Sequence, residues 1–267
     1  RDRSVSRGLG DVYKRQQLKQ TFHLKEVFVS PNLVDDEEIN LRDTCRALAG
    51  NLDKYIIDNT VVAVSWGNTL NCLAGQIQPL KAKDIKVVQL NGGVAKSASS
   101  TGASQIVDAL TMAGHGIGYM FPVPAIVDSK HTSEILQEET QVKNVLRLAK
   151  EAEVSIFSIG ALSKDSILYE VEYLKDEDFQ ALEKNKAVGD IASRYFDING
   201  NIALKELDDR VVGFGLEELR EKEWTIAIAV GVNKVDAIIG ALRAGFMNVL
   251  YTDEKTAREI LNRNLLG

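Results

Sequence analysis

The sequence predicts an α/β fold: a Rossmann-like, doubly wound and mostly parallel sheet carrying a small inserted subregion. Three observations lead there. Short runs of β-branched and apolar residues alternate with amphipathic stretches of about ten residues or more, the mark of βαβ units. A chain of 267 residues with 45% hydrophobic content is long enough to bury a large α/β core. The alternation lapses after residue 160 and resumes at Trp224, which places the inserted subregion at about residues 165 to 215.

Taken in order, KEVFVS (25–30) reads as a strand, and the stretch from Asp35 to Ile56 as an amphipathic helix with acidic residues at its start, where the dipole favours them. TVVAVS (60–65) is the next strand, followed by a helix from Thr69 to about Gln78. IKVVQL (85–90) leads through the polar loop NGGVAKSASSTG to a helix at 103–114. A short strand GIGYMF, a proline-broken turn PVPAIV and two helical stretches between Thr132 and Ala152 bring the chain to the strand VSIFSIG. Beyond it come a short helix near KDEDFQALEK and then ASRYFDINGNIALKEL. The latter reads as a hairpin reversed at its NG, the dipeptide that best tolerates the positive φ of a tight turn. WTIAIAVG is a strand, NKVDAIIGALRAG a helix closed by Gly245, MNVLYT a strand, and DEKTAREILNRN a terminal helix capped by Thr252 or Asp253. Residues 17–267 are expected to form one domain. The arginine-rich start, RDRSVSRGLGDVYKRQ (1–16), lacks a sustained apolar period and reads as a leader foreign to that domain, like translated vector or adaptor text.

A formal net charge of −6 offers no broad basic face to a nucleic acid backbone. No apolar run approaches the roughly 20 residues of a membrane-spanning helix, and no signal-peptide pattern is present. Cys45 and Cys72 fall in predicted helices without metal-ligand spacing. They are expected as buried thiols, which suits a soluble protein of the reducing cytoplasm without a metal or cofactor.

Ligands of open parallel sheets bind beyond the carboxyl ends of the strands, which singles out four stretches. In SWGNTL, Gly67 permits a tight turn while Asn68 and Thr69 stand beside the free amides of the next helix, a seat for an anion such as a sugar phosphate. Ordinary strand-to-helix punctuation would look the same. In LNGGVAKSASSTG, Gly92 and Gly93 allow close backbone approach to a ligand, with Lys96 in reach of a phosphate; a plain surface loop is the alternative. In NKAVGDI, Asp190 either accepts hydrogen bonds from two sugar hydroxyls or sits in an ordinary turn. In AVGVNKVDAI, Gly231 ends a buried strand and Asn233 and Lys234 open a helix. A lysine there opposes the helix dipole, a local conflict that anion binding would explain.

Catalytic chemistry is harder to find. His23, His115 and His131 are scattered, with no triad or metal pattern around them, and neither GxGxxG after the first strand nor a P-loop is present. Asp190 is the only acid at the ligand positions of the four stretches.

Together these stretches resemble a known family. LKQTFHLKEVFVS, VVAVSWGNTL, VVQLNGG, KAVGDIASRYFDINGN, AVGVNKVDAIIGALRAG and NVLYTDEKTAREIL stand in the order and spacing of the sugar-binding effector domain of SorC/DeoR-type bacterial transcriptional regulators, over residues 17–267. The resemblance implies a fold similar to glucosamine-6-phosphate deaminase and ribose-5-phosphate isomerase, the NagB/RpiA/CoA transferase-like fold, used for sensing and not for catalysis. It implies a phosphorylated sugar as effector and a homodimer or homotetramer. Operator DNA would be held only through an N-terminal helix-turn-helix module that is missing here. Gly67, Asn68 and Thr69 would match the phosphate turn, Asn91, Gly92 and Gly93 the following loop, and Asp190 the acid that reads the sugar. Gly231, Asn233 and Lys234 would match the ligand-facing helix start. Two departures stand out: Asn91 replaces a phosphate-binding arginine of some members, and Val230 replaces the first glycine of the usual AGGxxK. The alternative is a sugar-phosphate isomerase or deaminase on the same fold, which would need a general base beside a carbonyl.

Overall fold

The computed structural model describes residues 3–94 and 103–266, with side chains over 12–94 and 104–264. Helix α1 (Arg3–Thr21) leads into strand β1 (Glu26–Ser30). The end of α1 is fastened to the domain: Leu18 is buried, Lys14 pairs with Glu254 at 2.6 Å, and Arg15 lies over the Phe28 ring. Helix α2 (Glu37–Tyr55) starts where Asp36, in extended backbone, accepts a hydrogen bond from the Ile39 amide, and Glu37 and Glu38 fill its first turn. The cap pairs an otherwise orphaned amide, and the two acids meet the positive end of the dipole.

There follow β2 (Val61–Val64), α3 (Asn68–Ala74), β3 (Lys86–Gln89), α4 (Ala103–Ala113) and β4 (Ile117–Tyr119). Helices α5 (Lys130–Glu138) and α6 (Thr140–Glu151) are separated by the extended backbone of Glu139 and lead to β5 (Val154–Ser158). The inserted part holds β6 (Gly160–Ala161), α7 (Ile167–Glu170), α8 (Asp176–Lys184), β7 (Ala187–Ile191), β8 (Arg194–Asp197) and α9 (Lys205–Asp208). The chain closes with β9 (Trp224–Ile228), α10 (Val235–Ala244), β10 (Val249–Asp253) and α11 (Glu254–Leu266).

Among the described residues, the main sheet has seven strands in the order β1-β10-β9-β5-β2-β3-β4, all parallel. Alternate residues of its central strands enter different cores, as the two-residue strand period requires. Val62, Val64, Val87, Val154 and Ile156 pack with α2, α3 and α4, whereas Ala63, Val88 and Phe157 pack with α6 and α10 on the other face. Strands covered on both sides carry apolar residues without polar alternation, which is why VVAV is buried at three of its four positions. A smaller antiparallel sheet, β6-β7-β8, has its own apolar cluster around Leu168, Leu174, Phe179 and Leu207.

Two local features depart from expectation. A reversal absent from the sequence reading stands at Ala192–Ser193: Ile191 pairs with Arg194, and the two loop residues have φ of 50° and 70°, the paired left-handed geometry of a two-residue turn. The expected reversal at Asn199–Gly200 forms as well: Phe196 is bridged to Ile202, the Asp197 amide donates to the Asn201 carbonyl at 2.9 Å and the Ala203 amide to the Tyr195 carbonyl at 3.0 Å. Helix α3 stops at Ala74, short of Gln78, with Gly75 as its cap. Gln78 precedes Pro79, and a residue before proline is pushed away from helical backbone. The other caps hold: Gly245 ends α10 in left-handed backbone at φ 70°, and the Asp253 carboxylate accepts from the Thr256 amide at the start of α11.

Candidate functional site

From β2 the chain lays β3 and β4 to one side of the sheet and then β5, β9 and β10 to the other. Loops leaving β2 and β5 therefore part in opposite directions and open a crevice above the carboxyl ends of the strands. A cavity of about 310 Å³ occupies that position, roofed by the small sheet and α7.

Each wall has a local cause. After β2, Gly67 takes φ 130° and ψ 178°, a conformation that a side chain resists, and so turns the chain into α3 with Asn68 and Thr69 on the cavity. The first amides of a helix have no carbonyl partner within it, so this turn offers N–H donors. Trp66 covers the turn, its indole N–H donating to the Gly92 carbonyl at 2.8 Å. After β3, Asn91 lines the cavity and is 2% exposed. Its side-chain amide donates to Ser193 Oγ at 3.0 Å, and its Oδ1 has no partner among the described residues.

Asp190 enters from β7. Its Oδ2 accepts from the Ser193 amide at 3.1 Å, and its Oδ1 lies so close to Gly160 that an added Cβ would come within 2.3 Å. Burial pushes the Asp190 carboxyl up to about 6, against the Ser193 amide and the charge of Lys234, which favour ionisation. Lys234 enters after β9, where Gly231 (φ 121°) turns the chain into a short 3-10 segment, Val232–Lys234, ahead of α10. Burial pulls the Lys234 ammonium below its ordinary value, only partly offset by the carboxylates of Glu37 and Asp190. No hydrogen bond or ion pair to the Lys234 side chain forms among the described residues.

Of the residues expected at the site, Gly67, Asn68, Thr69, Asn91, Asp190, Asn233 and Lys234 share this one cavity. Gly92, Gly93 and Gly231 stand behind its wall. The amides of Gly92 and Gly93 are bound to the carbonyls of Val212 and Val123 at 3.2 and 3.0 Å, so they are not donors to a ligand. Gly231 borders a separate recess of about 40 Å³ with Asp35 and Asp253, and its amide donates to Thr256 Oγ1. Lys96 lies outside the described residues. All three histidines are exposed and none lines the cavity.

Sequence reasoning missed the β5 side of the wall: Ser158 to Ala161, Ser163, Asp165 and Ser166. The post-strand rule applied to VSIFSIG would have found Ser158 and Gly160. Asp165, outside the four stretches singled out in the sequence, is a second acid at the cavity beside Asp190. Nothing in the local pattern marks Ser193, which a turn brings under Asp190. Among the described residues, no group of three or more His, Cys, Asp or Glu side chains could hold a metal ion, and no helix is long and apolar enough to cross a membrane.

Comparison with known proteins agrees with this geometry. A family model described as "Putative sugar-binding domain" matches residues 8–262. The chain is 32% identical over 245 residues to the deoxyribonucleoside regulator of Bacillus subtilis strain 168, covering 92% of this chain and 78% of that protein. The DeoR family transcriptional regulator from Listeria monocytogenes superimposes with a TM-score of 0.86 at 28% identity, over 94% of this chain and 99% of that one. The full-length sorbitol operon regulator SorC from Klebsiella pneumoniae, 23% identical, shares the fold with a TM-score of 0.86 over 94% of this chain and 81% of its own. These relatives are transcriptional regulators and not enzymes. With the family model spanning nearly the whole chain and the cavity in the crevice of its parallel sheet, the chain belongs to the sugar-binding effector domains of SorC/DeoR-type transcriptional regulators.

Proposed function

We propose that this domain is a cytoplasmic sensor that binds a phosphorylated sugar and so controls operator binding by a helix-turn-helix module joined on its N-terminal side. The observation that carries the reading is the Lys234 ammonium: desolvated, without an ion pair among the described residues, and on the same cavity wall as the Gly67 turn. An unpaired buried charge is costly, and an anion is what relieves it. A phosphate ester would sit between the first turn of α3 and Lys234, with sugar hydroxyls toward Asp190 and the free Oδ1 of Asn91.

Such a ligand would tie together loops from β2, β5, β7 and β9 and favour one arrangement of the small sheet over the large one. A homodimer or homotetramer would carry that preference to DNA, since an effector shifts an equilibrium only by binding one state better. The parallel sheet with its antiparallel insertion also supports kinship with the NagB/RpiA/CoA transferase-like fold, which superposition on those enzymes would test.

The experiment is a melting screen of the purified chain against phosphorylated sugars, with the free sugars as controls. The Bacillus subtilis relative is named for deoxyribonucleosides, so pentose and deoxypentose phosphates open the panel. A true effector at a hundred times its Kd stabilises by about 2.7 kcal/mol. Lys234→Ala is expected to weaken it by about 1 to 3 kcal/mol while the fold persists. Stabilisation by no phosphorylated sugar would sink the proposal, and conversion of one to product would favour the isomerase or deaminase reading.

A further inference from the structure

We propose that Trp66 reads the carbon body of the effector, giving it an apolar wall beside the anion seat; the inference rests on the phosphorylated-sugar reading above. The contacts named for that reading are polar: the Gly67 turn, Asn91, Asp190 and Lys234. The same cavity is also lined by Trp66, Leu168 and Tyr195. Leu168 and Tyr195 belong to one apolar cluster, and Trp66, half-buried, packs against it. Leu168 from α7 and Tyr195 from β8 thus join the ring that follows β2 in one apolar patch. A bare inorganic anion gains nothing from such a patch. The C–H groups of a sugar leave water when they meet it, and a sugar phosphate carries both kinds of surface.

Chain position fixes which part of the ligand the ring meets. Trp66 directly precedes Gly67, so its side chain stands next to the turn whose first helical amides would hold the phosphate. The esterified carbon is joined to that phosphate through a single oxygen, which brings it and its neighbours within the span of the indole. The ring is already immobilised: its Nε1–H donates to the Gly92 carbonyl at 2.8 Å, which satisfies the one polar group of the side chain. What remains for the cavity is apolar surface whose ordering costs nothing further on binding. Pinning the Gly92 loop needs the N–H alone. An aromatic ring on the cavity needs a ligand with carbon to cover it. With its C–H groups on Trp66, the sugar keeps hydroxyls for Asp190 and for the buried Asn91 Oδ1, which has no partner among the described residues.

Trp66 and Trp224 are the two tryptophans of the chain, and Trp224 opens β9 at the other end of the sheet, against Tyr55. Trp224→Phe therefore leaves Trp66 as the sole reporter of emission. The full chain is titrated with inorganic phosphate and with the phosphates of ribose, deoxyribose, glucose and fructose, by emission and by calorimetry. At least one sugar phosphate is expected to bind about tenfold more tightly than inorganic phosphate and to shift the emission of Trp224→Phe. In Trp66→Leu the ratio of those two affinities should fall about tenfold, and Trp66→Phe, which keeps a ring, should restore most of it. The emission arm needs no change at Trp66, so it decides even where Trp66→Leu fails to fold. An equal fall in both affinities would leave Trp66 as a prop of the Gly67 turn and overturn the proposal. Calorimetric binding of a sugar phosphate that leaves the Trp66 emission unmoved would overturn it too. If inorganic phosphate binds as tightly as every sugar phosphate, the anion seat stands and the role of Trp66 is lost. If no phosphate of any kind binds, the anion seat falls and the proposal falls with it.

Discussion

Two glycine-bearing turns leave the neighbouring strands β2 and β3. Gly67 opens α3 onto the cavity, whereas Gly92 and Gly93 have their amides bound to Val212 and Val123 and stand behind the wall. The two turns need glycine for different reasons. An added Cβ at Gly67 would touch nothing within 4 Å, but φ 130° resists any side chain. Gly92 has no such backbone demand; there an added Cβ would lie 2.5 Å from the carbonyl oxygens of Val123 and Pro124. One glycine serves the direction of the chain toward a ligand, and the other serves the packing of one loop on another.

Substitutions can break or sharpen that contrast. The largest effect is expected of Gly92→Ala, which forces two backbone segments apart and should cost about 3 kcal/mol in urea unfolding. A silent Gly92→Ala would remove the packing explanation. Gly67→Ala should cost about 2 kcal/mol through backbone strain and, unlike Gly92→Ala, should also weaken binding of a phosphorylated sugar in calorimetry on protein that is still folded.

A smaller change tests the acid that faces the Gly67 turn across the cavity. Because the native state holds the Asp190 proton more tightly than the unfolded chain, the stability contributed by this one group is fully present below about pH 3.8 and declines as the pH rises through about 6. The loss should be on the order of 1 kcal/mol, since the carboxyl is partly open to cavity water. Asp190→Asn should flatten that slope in unfolding curves taken at several pH values. The smallest effect belongs to Gly93→Ala, where an added Cβ meets nothing within 4 Å and no positive φ is required. It should alter stability and binding by less than about 0.5 kcal/mol. A large loss there would mean that both glycines of the pair are needed for a shared reason.

Much of the frame is legible in the residues themselves. Strands 61–64 and 86–89 are apolar runs, and Asp36, Gly245 and Asp253 mark helix ends by local chemistry that acts over three or four residues. The rule that ligands meet the carboxyl ends of strands pointed to Thr69 and Lys234 and the family resemblance to Asn91, and all three line one cavity. The Ala192–Ser193 turn could not be read so. Neither residue favours positive φ, and the turn is held by distant partners: the Ser193 amide is bound by Asp190, while Arg194 donates to the carbonyls of Phe214 and Gly213 and to the Asp208 carboxylate. At Asn199–Gly200, where the turn signal is local, the chain reverses as the residues indicate.

The kind and order of the elements, their caps and the family they belong to are properties of the sequence, because side-chain periodicity and terminal hydrogen bonds are settled among near neighbours. Only the tertiary structure decided that Thr69, Asp190 and Lys234 face one another, that Gly92 serves packing, and that the Cys45 thiol meets the Thr69 carbonyl of another helix. Each of these outcomes depends on which surfaces come together when a sheet buries both of its faces, and a single segment holds no record of its partner.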